Sequence, residues 1–80
     1  MRKTRVNALR DLRIRRGLTQ EEVAKALGIS REQVSRFETG NRRPSWNALV
    51  PLSRLYRVSL EKAEAALRME SRSTSKAATA

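Results

Sequence analysis

The sequence predicts an all-α fold of five short helices, on three observations. Apolar residues recur at three- and four-residue spacing through most of the chain, the period of an amphipathic helix. Ser or Thr precedes several of these segments, and twice Glu or Gln follows three residues later, as in Thr19/Glu22 and Ser30/Gln33. The three glycines, Gly17, Gly28 and Gly40, each fall just beyond a segment's end.

The elements follow in chain order. Residues 1–4, with Arg2 and Lys3, read as a flexible, solvated basic arm, since chain ends fray. Helix one is predicted from Arg5 to Arg16, burying Val6, Leu9 and Leu12 with Ala8 nearby. Arg15 and Arg16 suit the negative end of its dipole, and Gly17 follows at C′. Thr19 opens helix two in a capping box with Glu22, and Glu21 and Glu22 complement its positive end. That helix stops at Leu27, where Gly28 can turn the chain left-handed. Ser30 caps helix three, which runs from Arg31 to Thr39, and Gln33 can reach back to it. Val23, Ala24, Leu27, Ile29, Val34 and Phe37 give this pair one apolar stripe each.

Asn41-Arg42-Arg43-Pro44 is the next link, and Ser45 the next N-cap. Helix four covers Trp46 to Tyr56 with Leu49, Leu52, Leu55 and Tyr56 inward. Trp46, a lone aromatic at a helix start, reads as packing on the core or its rim rather than stacking on a nucleotide. Pro51 lies inside this helix. There it removes a hydrogen bond and clashes with the Asn47 carbonyl, costing ~3 kcal/mol. A kink is expected, or a restart with Pro51 at the first helical position. Ser59 caps helix five, which carries Leu60, Ala63 and Leu67 on one face to Met69. Residues 70–80 are small, polar and aperiodic, and read as a disordered tail. The expected organisation is an arm over 1–4, one domain over 5–69 and a tail over 70–80, without internal repeats.

Composition narrows the chemistry. At 39% hydrophobic residues, the 80-residue chain supports one modest core, to which dimerisation would add burial. Cysteine and histidine are both absent, which removes disulfides, thiolate metal sites and the commonest general base. Eighteen basic residues against eight acidic leave a net charge of +10 and a pI near 11.6. Such a surface favours a polyanionic partner, through attraction to phosphates and release of their counterions. A solvated basic surface is the plainer alternative. A membrane fits less well: there is no continuous apolar face with aromatic anchors and no run of spanning length. MRKTRVNALR also lacks the apolar core of a signal peptide, so cytoplasmic residence is expected.

The stretch Gln20–Gly40, QEEVAKALGISREQVSRFETG, carries outward Arg31, Glu32, Gln33, Ser35 and Arg36. These side-chain types read base edges in a DNA major groove. The order Gln20, Val23-Ala24, Leu27-Gly28-Ile29, Val34, Phe37-Glu38 resembles the helix-turn-helix of the phage-repressor (Cro/XRE-like) DNA-binding family, from about Leu9 to Leu60. The resemblance implies a compact five-helix lambda-repressor-like domain. Helices two and three form the helix-turn-helix, the third lying in the major groove while the second crosses the backbone. It implies base contacts for Arg31, Glu32 and Arg36, with Gln33 and Ser35 next. It implies that Gln20 contacts phosphate and braces the start of the reading helix. It also implies a structural salt bridge between Arg13 and Glu38, which holds the angle of that helix, and a close-packing role for Ala24. Asn41, Arg42 and Arg43 are well placed to grip the DNA backbone, an ordinary polar connector being the alternative. The plainer reading of Glu32 and Arg36 is an i, i+4 ion pair worth a few tenths of a kcal/mol. Pro51 departs from the family pattern, as does Arg57, where glycine is usual. A left-handed arginine costs about 1 kcal/mol, so this turn is expected to differ.

The function expected is a sequence-specific double-stranded DNA-binding transcriptional regulator, a repressor by resemblance, in the nucleoid of a prokaryote or in a phage. By the same resemblance it binds a palindromic operator as a homodimer, with half-sites one helical turn, ~34 Å, apart. No cofactor and no metal are expected. The alternative is an antitoxin-like or adaptor module that engages a partner protein, which would have no need of Arg31, Glu32 and Arg36. RNA is a third possibility, but the three aromatic residues form no stacking platform. Catalysis fits least, because the eight acids are scattered as caps and helix pairs, without a carboxylate cluster or nucleophile–base pair.

Overall fold

The computed structural model describes residues 6–71. Five helices make up its architecture: α1 (Leu9–Arg15), α2 (Gln20–Leu27), α3 (Arg31–Thr39), α4 (Trp46–Tyr56) and α5 (Leu60–Ala66). The expected arm, 1–4, and the tail from residue 72 lie outside the described residues.

Local chemistry sets most boundaries. Thr19 Oγ1 accepts from the Glu22 N–H at 3.1 Å, and Glu22 Oε1 accepts from the Thr19 N–H at 2.8 Å. Ser59 accepts from the Lys62 N–H at 3.1 Å. Each such cap satisfies a donor left over at a helix start and stabilises by ~1 kcal/mol. Gly28 takes φ 71°, which brings the Ile29 N–H back to the Ala24 carbonyl at 3.0 Å and turns the chain into α3.

The apolar stripes converge on one core, formed by Leu9, Leu12, Val23, Ala24, Val34, Phe37, Leu52, Tyr56 and Ala66. Leu18, Leu27, Ile29, Leu55, Val58 and Leu67 close its edges. Each large side chain buried this way stabilises by ~1.5–3 kcal/mol.

Several expectations are corrected. Helix one starts at Leu9 rather than Arg5, because Val6–Ala8 find partners elsewhere in the fold. Asn7 forms an antiparallel bridge with Glu70, and the Ser71 N–H donates to the Val6 carbonyl at 2.8 Å. The Ser71 hydroxyl also donates to Asp11 Oδ1 at 2.6 Å. Helix five correspondingly ends at Ala66, short of Met69, and Glu70 and Ser71 are fastened to the domain. Periodicity does not reveal such long-range pairing.

Helix four runs through Pro51 without a restart. The proline faces solvent, while Leu49 and Leu52 on either side are buried and hold the helix on the core. Ser45 occupies the N-cap with extended backbone, yet its side chain makes no cap bond. Trp46 is 63% exposed and packs on neither core nor rim. Arg57 adopts the left-handed conformation after all, at φ 59° and ψ 46°, so the turn keeps its usual shape. The Val58 N–H then reaches the Ser53 carbonyl at 3.0 Å, and Val58 packs against the core. Those gains offset the strain.

Replacing Arg57 with Gly removes a Cβ from a left-handed position and adds freedom to the unfolded chain. The net expectation for Arg57→Gly is a gain of about 0.5–1 kcal/mol in urea unfolding. An unchanged or lower midpoint would contradict the strain.

Candidate nucleic-acid interface

Both ends of α3 are fastened. At its start, Ser30 Oγ accepts from the Gln33 N–H at 3.1 Å, and Gln33 Oε1 accepts from the Ser30 N–H at 3.2 Å. At its end, Glu38 is 2% exposed and paired. Arg13 Nε donates to Glu38 Oε2 at 2.7 Å and Arg13 Nη2 to Oε1 at 3.3 Å, a two-pronged contact. Arg13 Nη1 is held by the Leu18 carbonyl at 2.8 Å, and Gln20 Nε2 adds a further donor to Glu38 Oε1 at 3.0 Å. The Arg13–Glu38 bridge implied by the resemblance is therefore present. Gln20 directs its amide to the far end of α3, not to the start, which corrects that part of the expectation.

Asn7 completes the anchoring. Its backbone N–H donates to the Glu38 carbonyl at 2.7 Å and its Nδ2 to the Phe37 carbonyl at 2.8 Å, while its Oδ1 accepts from the Leu9 N–H at 3.1 Å. One buried side chain thus joins the start of α1 to carbonyls that helix geometry leaves without partners. The sequence gives no local signal for this role. Tyr56 lies in the same cluster: burial, and then the Glu38 carboxylate, push its phenol above the ordinary value of 10.0, with Arg13 opposing.

The outer face of α3 has the opposite character. Arg31, Glu32 and Arg36 are exposed, and their side chains bond to none of the described residues; the Glu32–Arg36 pair is not formed. Ser35 is half-buried, and so is Gln33, which the cap engages. Asn41 and Arg42 are exposed beside the helix end, with the Arg42 N–H donating to the Arg36 carbonyl at 3.2 Å. Arg43 Nη2 lies 3.4 Å from Glu64 Oε2 on α5, an exposed pair of little strength. Cationic side chains therefore stand on α3 and on the loop that follows it. Among the described residues, no group of three or more His, Cys, Asp or Glu could hold a metal, and no helix is long and apolar enough to cross a membrane.

Residues 6–73 match a family model described as a helix-turn-helix domain. Over 53 residues, 66% of this chain and 76% of the relative, the sequence is 34% identical to an uncharacterized HTH-type transcriptional regulator of Archaeoglobus fulgidus. Over 50 residues, 62% of this chain, it is 36% identical to the transcriptional repressor RstR of the cryptic phage CTXphi, from Vibrio cholerae. That match spans 45% of RstR, less than half of its length.

The buried cluster generates two expectations. Arg13→Ala strands the Glu38 carboxylate and should cost about 3 kcal/mol or more in urea unfolding; a change below about 1 kcal/mol would show that the bridge is dispensable. The Tyr56 phenol holds its proton more tightly folded than unfolded, so its contribution is full below pH ~10 and lost as pH rises beyond that. Stability should therefore begin to fall above about pH 10 and go on falling as pH climbs toward the raised folded value, and fall less steeply in Tyr56→Phe. Parallel slopes in the two proteins would remove Tyr56 from the account.

Proposed function

The chain belongs to the helix-turn-helix domain family, and from that membership we propose a DNA-binding transcriptional regulator that reads duplex DNA with the outward face of α3. The observation that carries this reading is the contrast within α3. Val34, Phe37 and Glu38 are buried, while Arg31, Glu32 and Arg36 stand in solvent without partners among the described residues. An α-helix with its side chains is ~10–12 Å across, which suits a major groove ~12 Å wide.

In this reading Arg31, Glu32 and Arg36 meet base edges, and Gln33 and Ser35 lie close enough to assist. A bidentate arginine–guanine contact discriminates by ~1–3 kcal/mol, far more than the few tenths an exposed helix pair offers. Asn41, Arg42, Arg43 and the start of α2 at Gln20 supply backbone contacts, which set register and make binding salt-dependent. Gln20 has a second amide hydrogen beyond the one given to Glu38, so a phosphate contact is compatible with its internal bond. Two copies on a two-fold operator would place their α3 helices ~34 Å apart. Repression then follows from occupying the operator. The +10 charge of the chain supports a polyanionic ligand.

Selection of tight binders from a random duplex pool tests this. A two-fold symmetric consensus bound by two chains is expected; failure to enrich any motif would favour the adaptor reading. Arg36→Ala should relax preference at one base pair per half-site and leave non-specific affinity nearly intact. Uniform weakening across sequences would reassign Arg36 to the backbone.

A further inference from the structure

The first turn of α3 determines which hydrogen-bonding groups face outward. Gln33 Oε1 accepts from the Ser30 N–H at 3.2 Å and lies 3.5 Å from the Ser30 hydroxyl. A backbone N–H only donates, so the amide orientation is fixed, with its oxygen held by the cap and its NH2 group left over. Gln33 therefore offers its two amide donors outward, while both lone pairs of its oxygen face Ser30, one toward the N–H at 3.2 Å and one toward the hydroxyl at 3.5 Å. Arg31 and Arg36, exposed on the same helix, are donors by chemistry. Against these three stands one strong acceptor, the exposed Glu32 carboxylate; the half-buried Ser35 hydroxyl serves either way.

Base edges respond differently to such a face. Guanine presents two acceptors, O6 and N7, and thymine one, O4, whereas adenine pairs its N7 acceptor with an N6 donor. A glutamine reads adenine by donating and accepting together. Here the accepting half is engaged by Ser30, and the remaining NH2 group would meet the adenine N6 donor to donor. Guided by this, and resting on the DNA-reading proposal above, we infer that each half-site is G·C-rich. Guanines face Arg31 and Arg36, a cytosine N4 faces Glu32, and the base facing Gln33 is guanine or thymine rather than adenine. The cap that stabilises the helix thereby also narrows its specificity.

The experiment repeats the random-duplex selection with wild type, Gln33→Ala and Gln33→Glu, after confirming by circular dichroism melts that each is folded. Gln33→Glu keeps an acceptor for the Ser30 N–H but loses both donors, so it separates reading from capping. The expected result is a G·C-rich half-site in wild type. One base pair should favour guanine or thymine there by roughly 2- to 12-fold, the worth of a single neutral hydrogen bond, a preference lost in both variants. An A·T-rich half-site, an adenine at the pair that relaxes, or a preference unchanged in both variants would overturn the inference while leaving DNA reading intact. Absence of any enriched motif with wild type would remove the DNA-reading proposal itself, and this inference with it.

Discussion

A carboxylate with almost no access to water holds the architecture in register. Glu38 sits at the end of α3 and is met by Arg13 from α1 and Gln20 from α2. Tyr56 from α4 is close enough to feel its charge. Four helices therefore share one electrostatic focus. A charge in that position is tolerable only while its partners stay, because an uncompensated buried charge costs several kcal/mol. Apolar contacts carry no direction of their own, whereas this pairing needs its donors and acceptors aligned. The tilt of α3 against α1 and α2 follows from it.

Around that focus the remaining bonds distribute the load. Asn7 takes two carbonyls at the end of α3, while the Thr39 hydroxyl and the Arg42 N–H share the Arg36 carbonyl. With the capping box at the other end, α3 is a nine-residue rod with both termini closed internally. Such closure removes ordering that would otherwise accompany ligand binding. The exposed side chains of Arg31, Glu32 and Arg36 on its outer face remain to be fixed. In the proposed DNA-reading role, a rigid backbone with adaptable tips would allow one scaffold to be re-aimed at different base pairs by changing few residues.

What the sequence could reveal divides along chain distance. The boxes at Thr19/Glu22 and Ser30/Gln33, the cap at Ser59 and the left-handed turn at Gly28 are written within four residues, and each is where the pattern indicates. The stripe residues Val23, Ala24, Val34 and Phe37 are buried as their spacing requires. The exposed positions of Arg31, Glu32 and Arg36 were legible as the complement of that stripe. Features joining distant segments were not. Asn7 looks like any polar helix residue until Phe37 and Glu38 are brought to it across 30 positions. The pairing of residues 6–8 with 69–71 has no periodic trace, so periodicity alone overextends both end helices. Arg57 departs from its local preference, and α4 continues through Pro51 without a restart, for a related reason: core burial on either side outweighs a backbone preference of a few kcal/mol.

The water-exposed indole of Trp46 has an optical consequence. It is the sole tryptophan of the chain, already 63% open in the folded state, two residues past Pro44 and three past Arg43. Its surroundings are already mostly solvent in the folded chain, which makes its emission a weak gauge of unfolding. The same property makes it a sensitive intrinsic fluorophore for anything that approaches the flank formed by the Asn41–Arg43 loop, since an arriving surface would quench or blue-shift light that the fold itself leaves untouched.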